Sequence, residues 1–289
     1  MHCETSSIER PDEVASGIGA AARERLLSVW GEPLFLADWL RLVFIHYEVP
    51  AAELQRDVPF ELDLRDGKAH VSLVAFTMRG MRPFFGGRLA AWLCKPIATN
   101  EYLNVRTYVR HRGEPGIYFL TEWMNNPFSV RLGPWTFGLP YRFGELNYRH
   151  RHEEGVLRGE VRETGLGAAL RYETTIPSCP EHQLSTNLVA DVRRLKLKRW
   201  ENQSLLTSAT GSLDEFLLER YTAFTAHHGK RRFFRIWHPV WAQQAIDVSV
   251  PDKSLLTGVW PWFAKATLIG GNYSPGARNV WMGRPHQIP

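Results

Sequence analysis

Residues 104–123 constrain the fold more than any other stretch of the chain. Along 104–112 the side chains alternate: Asn104, Arg106, Tyr108, Arg110 and Arg112 share one face, and Val105, Thr107 and Val109 the other. That period of two is the mark of a β-strand. Gly113-Glu-Pro-Gly116 reads as a turn and 117–123 as the return strand, which makes a hairpin. Residues 68–78 alternate with apolar side chains on both faces, so that strand is covered on two sides. Further strands are expected at 40–49, 128–136, 142–150, 156–163, 168–174 and in a β-rich stretch over 232–268, with a turn, a strand and a tail after it. The gaps are short and rich in Gly and Pro, which favours a sandwich or barrel over βαβ units.

Helical signals are fewer. Residues 20–30 form a short helix stopped by Gly31, and 51–56 make one turn. Phe85, Leu89, Trp92 and Leu93 sit at helical spacing around a Gly86-Gly87 hinge, giving a short helix or lid over 84–94. Ser212 caps a helix over 213–225, with Glu215 completing a capping box and Leu213, Phe216, Leu217, Tyr221 and Phe224 forming its apolar stripe. No repeat or linker divides the chain. The expected organisation is a polar tail and short helix over 1–30, then a single β-rich domain over 31–289.

With 289 residues, 44% hydrophobic and 22% charged, the composition is globular and the length is ample for a core without staples. The 11 tryptophans suit an aromatic-walled interior. Cys3, Cys94 and Cys179 are odd in number and lack CxxC spacing, so no disulfide framework is expected. With no apolar core in the first 17 residues to make a secretory signal, the expected compartment is the cytoplasm. The most apolar run, 34–47, is too short for a membrane span and contains Asp38 and Arg41.

Familiar chemistry motifs fail on context. Gly17-Ile-Gly19 follows a polar tail instead of a strand, so no dinucleotide site is expected, and there is no GxxxxGK[ST] or GxSxG. His150 and His152 share a strand face, yet the acid and second half of a cupin-like metal motif are missing. Cys179 near His182 reads as a loop cysteine. Neither a metal nor a cofactor is expected. Two basic runs, RRLKLKR over 193–199 and KRRFFR over 230–235, read first as solvated faces. They also carry the competing reading, a non-catalytic binder of nucleic acid or an anionic membrane. A third reading is an interaction protein whose interior is filled by side chains.

Six stretches resemble a bacterial family of unknown function, the YqjF-like proteins. They are 99–109 (TNEYLNVRTYV), 116–119 (GIYF), 138–141 (GLPY), 238–241 (HPVW) and 273–276 (YSPG) with 283–285 (GRP). That family resembles acetoacetate decarboxylase, with Val58-Pro59, Glu101 and the Gly138-Leu-Pro140 turn as the shared features. The resemblance implies an α+β, mostly β fold: barrel-like antiparallel sheets around a central cavity, with few short helices. It also implies that the imine-forming lysine pair falls on Tyr141 and Arg142, that Glu101 matches a cavity carboxylate, and that another acid position falls near Ser72. A phenol forms no imine, so Schiff-base decarboxylation is not expected. The expected function is binding of a small carboxylate or carbonyl compound, with or without catalysis. Arg142 would hold the anion, Tyr141 would donate to a carbonyl and Glu101 would act as acid–base group. Asn104, Arg106 and Tyr108 are substrate-binding candidates. Strand parity sets Glu101 and Arg106 on opposite faces unless a bulge intervenes.

Overall fold

The computed structural model describes residues 17–163, 165, 167–176 and 211–289. The cysteines at 3 and 179, His182 and the basic run 193–199 lie outside them. The strands are β1 (Phe35–Val49), β2 (Glu61–Leu62), β3 (Ala69–Pro83), β4 (Asn100–His111), β5 (Glu114–Met124), β6 (Tyr141–Arg151), β7 (Val156–Glu163), β8 (Ala169–Thr175), β9 (Thr222–His227), β10 (Lys230–Trp237), β11 (Gln244–Ile246), β12 (Val248–Asp252), β13 (Thr267–Met282) and β14 (His286–Gln287). The described α-helices are short: α1 (Gly17–Leu27), α2 (Ala51–Asp57), α3 (Gly87–Leu93), α4 (Pro127–Thr136), α5 (Leu213–Leu218) and α6 (Ser254–Val259). None is long and apolar enough to cross a membrane.

Seven strands close a ring in the order β1-β3-β4-β5-β9-β10-β13 and back to β1. Long antiparallel ladders join β1 to β13 and to β3. The ring is not a uniform barrel: β5 meets β9 in parallel, and β10 meets β13, through only two residue pairs each. A second sheet, β6-β7-β8-β12, branches from β5, because β6 runs parallel to the end of β5. The branch gives the ring two kinds of core. Leu73, Leu103, Val105 and Trp123 pack outward against Leu146, Leu157, Val161 and Leu170 of the branch. Phe44, Phe76, Phe119, Phe234 and Ile236 pack on the inner side. Both faces of β3 and β4 are therefore buried, as the two-sided alternation of 68–78 requires.

The 104–123 hairpin is present, but it turns one step earlier than Gly113-Glu-Pro-Gly116. His111 pairs with Glu114, and Arg112 and Gly113 both adopt positive φ, 50° and 82°, as a two-residue primed turn demands. Three other expectations are corrected. Residues 128–136 form helix α4, not a strand: the Asn126 side chain accepts from the Ser129 backbone N–H at 3.1 Å, and Pro127 sits in the first turn. The helix capped by Ser212 ends at Leu218 instead of running to 225. Residues 222–227 are drawn into the ring between β10 and β5, where strand pairing outweighs the local helical spacing. The C-terminal Ser274-Pro-Gly276 lies inside the long strand β13, not in a turn. A Cβ at Gly276 would overlap the Trp39 carbonyl, so glycine is what lets β13 pass so close to β1 there.

Candidate functional site

The ring encloses a cavity of about 390 Å³. Six of its seven strands contribute walls, through Trp39, Phe76, Tyr102 and Asn104, Phe119 and Glu122, Phe234 and Ile236, and Met282. Leu132, Gly133 and Thr136 of α4 and Ile97 of the 3₁₀ turn Lys95–Ile97 complete it. The lining is overwhelmingly apolar. Its polar groups are few: Tyr102, Asn104, Glu122, Tyr141, Ser129 and Thr136.

Glu122 is the acid of this cavity. It is 4% exposed and lies directly across the β4–β5 ladder from Asn104. Its inward direction comes from a bulge. Asn104 and Val105 pair with Glu122 and Thr121, but Arg106 pairs with Phe119, so Leu120 is skipped. Without that extra residue Phe119 and Glu122 would point to opposite faces; with it both reach the cavity. Neither Oε1 of Glu122 nor Oδ1 of Asn104 has a hydrogen-bond partner among the described residues, and the Trp39 Nε1 is likewise unpaired. Burial pushes the Glu122 carboxyl up to about 8, against the pull of the Arg106 charge. At neutral pH the group is therefore a carboxylic acid in the main, able to donate a hydrogen bond or a proton to an oxygen placed in the cavity.

Tyr141 joins the site by register. Where β6 runs beside β5, Glu122 pairs with Tyr141 and Trp123 with Arg142. Tyr141 thus shares the cavity face with Glu122, and its ring packs 6.2 Å from that of Tyr102. Gly133 of α4 leaves room for it: a Cβ there would overlap the Tyr141 ring. Burial drives both phenols well above their ordinary range, so both remain protonated donors.

The same register turns Arg142 away. Its guanidinium lies over the Trp123 ring and grips Glu163 of β7 with two donors, Nη2 at 2.6 Å and Nε at 2.9 Å, while Trp123 Nε1 donates to the same carboxylate. The anion that Arg142 holds is internal, and Arg142 does not line the cavity where the expectation places it. Glu101 is also outside the cavity. It is one residue out of step with Tyr102 and Asn104, and it lines a separate shallow recess with Leu146, Asn147, Tyr148 and Arg149. The bulge lies in β5, not between Glu101 and Arg106, so the parity argument stands.

Asn104 lines the cavity, and Arg106 and Tyr108 follow it on the same face at greater depth. Arg106 lines a small inner pocket with Trp39, Asn104, Phe119, Arg220 and His238, a space of about 10 Å³. Its Nη2 donates to the Leu217 carbonyl at 3.0 Å, and its Nε is buried without a partner among the described residues. Tyr108 is tied further in, donating to the same carbonyl at 2.8 Å and lying 2.5 Å from the Ser72 hydroxyl. No lysine lines the cavity among the described residues, and no group of three or more potential metal ligands occurs among them. Of the basic run 230–235, Arg232 donates to the carbonyls of Trp135 and Thr136 and Arg235 faces Glu114, leaving Lys230 and Arg231 exposed.

Comparison with known proteins agrees with this architecture. The uncharacterised protein YqjF of Bacillus subtilis (strain 168) is 24% identical over 214 residues, 73% of this chain and 76% of that protein. Among solved structures, the acetoacetate decarboxylase-like enzyme of Sphingomonas wittichii RW1 superposes with a TM-score of 0.54 at 16% identity, over 89% of this chain and 94% of that one. The acetoacetate decarboxylase of Legionella pneumophila gives 0.53 at 10%, over 89% and 87%. The enduracididine biosynthesis enzyme MppR complexed with pyruvate gives 0.52 at 12%, over 89% and 91%. At such identities the likeness establishes the fold. A model of the DUF2071 family of uncharacterised conserved proteins matches residues 36–260, and the chain belongs to that family.

Proposed function

We propose that the ring cavity binds a mainly apolar small molecule bearing one carbonyl or carboxylic group. The observation that carries the reading is Glu122: a buried carboxyl with an unpartnered oxygen, in a cavity walled mainly by apolar side chains. Burying such a group without a partner is costly, and a ligand oxygen at this point would relieve the cost. The volume lies within the range of about 300–1,000 Å³ common to small-molecule sites. A protonated Glu122 and the Trp39 N–H are donors, so they suit an acceptor oxygen. The apolar walls suit an alkyl or aryl body. MppR has been captured with pyruvate, which supports ligand binding within this fold. Here the wall chemistry favours a larger and less polar compound. With Tyr141 in place of the expected lysine, carbonyl binding proceeds through hydrogen bonds and not through an imine.

The test is calorimetric titration and thermal melting with alkyl and aryl ketones and medium-chain carboxylic acids, and with pyruvate for comparison. A ligand that binds only the folded chain raises the melting temperature by mass action. The expected result is tighter binding of the apolar carbonyl compounds, weakened by about tenfold or more in Glu122→Leu, where a hydrogen bond to a buried acid is lost. Preference for pyruvate, or unchanged affinity in Glu122→Leu, would refute the reading.

A further inference from the structure

Two helices on one side of the cavity, α4 in its wall and α3 beside it, have apolar exposed faces. On α4, Phe128, Leu132 and Trp135 recur at helical spacing and are each at least half exposed, while the buried Ser129 and Gly133, with Leu132 at the edge, line the cavity. On α3 and the residue pair before it, Phe85, Leu89, Trp92 and Leu93 are all more than half exposed, and no residue of α3 is buried. Both helices pack on the 3₁₀ turn Lys95–Ile97, whose Ile97 is itself a cavity wall. The Asn126 side chain ties the start of α4 to this turn through the Pro96 carbonyl. Seven large apolar side chains thus lie in solvent on two helices joined through one turn, far more than the scattered singles of an ordinary surface.

The charges around them have one sign. Residues 79–100 and 125–140 contain no Asp or Glu. Arg88, Lys95 and Arg131 are exposed and form no ion pair among the described residues. The β9–β10 hairpin, whose His227 and His228 lie against Trp135, adds the exposed Lys230. Aromatic and aliphatic tips set among unpaired cations are the composition of a surface that lies in the headgroup region of an anionic bilayer. A second copy of the chain fits less well. A two-fold contact would set this patch against itself, bringing Arg88, Lys95 and Arg131 together with no acid between them.

We propose that α3 and α4 dock the protein onto an anionic membrane surface, with the cavity wall formed by α4 and Ile97 directly behind the docked face. The surface is distinct from the Glu122 site, and the inference stands whatever that site holds. The test is sedimentation of the full chain with vesicles of phosphatidylethanolamine and phosphatidylglycerol, and with vesicles of phosphatidylcholine alone. Binding to the anionic vesicles is expected to fall as salt rises. It is expected to drop by about tenfold or more in Leu89→Ser/Trp92→Ser, with the melting temperature unchanged because both side chains are exposed. A control variant at two exposed residues elsewhere, Leu268→Ser/Ile269→Ser, is expected to bind as the native chain does. Native-level binding by the Leu89/Trp92 variant would overturn the proposal, as would equal binding to neutral vesicles. So would a native dimer that the same substitutions dissociate, which would make a second copy the occupant.

Discussion

Replacing Glu122 by Gln tests the electrostatics of the cavity without changing its shape. In the folded chain burial raises the Glu122 carboxyl from its ordinary 4.5 to about 8. In the unfolded chain it ionises near 4.5. Between these values the folded state holds a proton that the unfolded state has released, so stability falls as pH rises through that window and levels off above about 8. Each tenfold difference in proton affinity is worth about 1.4 kcal/mol, which gives a penalty of about 3 kcal/mol at pH 7 and an upper bound of about 5 kcal/mol above pH 8. Gln is neutral throughout and carries no such penalty. Urea denaturation of the two proteins from pH 4.5 to 8.5 is the assay. The variant is expected to gain on the native chain steadily as pH rises, with the difference between the two curves reporting Glu122 and other titrating groups cancelling. A stability difference that stays flat with pH, or that runs the other way, would refute the claim that Glu122 is protonated in the folded state.

Two further outcomes follow from the same geometry. Arg142→Ala is expected to leave cavity binding of ketones and carboxylic acids unchanged and to cost no more than about 1 kcal/mol of stability, because its partner is Glu163 and the pair is partly exposed; loss of ligand binding in calorimetry would return Arg142 to the site. His46, His150 and His238 are buried, and burial lowers them to about 3, 4 and 4 from an ordinary 6.5. The unfolded chain takes up their protons first, so stability is expected to fall by as much as about 1.4 kcal/mol per pH unit per histidine as pH drops from 6.5 toward 4; a native chain as stable at pH 5 as at pH 6.5 would show that these rings are not held neutral.

The sequence made some of this legible and hid the rest for physical reasons. Alternation over 68–78 and 104–123 gives the two-sided strands and the hairpin directly, since a pleated strand exposes its faces in turn. Leu139 and Tyr141 of the motif around 138–141 line the cavity, and parity along 100–108 separates Glu101 from Asn104 and Arg106. Two pieces of non-local information were missing. The first is the bulge at Leu120, a one-residue slip visible only once β4 and β5 are paired. It decides which side chains of β5 face inward. An acid in the apolar run Ile117–Trp123 was the available signal for Glu122, because a charge within such a strand is either paired or functional. The second is the parallel register of β5 and β6. It sends Tyr141 to the cavity and Arg142 to Glu163, and nothing within residues 138–142 distinguishes those two directions.

The resulting site differs in kind from the one the resemblance implies. An imine mechanism needs a lysine whose ammonium is destabilised by a second cation. The two positions that the resemblance assigns to that pair carry a phenol facing the cavity and a guanidinium facing away from it, paired with Glu163. The strongly perturbed acid–base group of the cavity is instead a carboxyl on the neighbouring strand. Its proton is retained by burial and not by a charge, since the charge of Arg106 acts in the opposite direction. On the proposed reading, such a cavity would recognise an oxygen by donating to it, and its selectivity would rest on the shape and polarity of the body attached to that oxygen. Four of its walls, Phe76, Phe119, Phe234 and Ile236, are also side chains that close the inner core of the ring. Changing the ligand preference of such a site therefore means repacking the core, and the two effects should appear together in any variant of these residues.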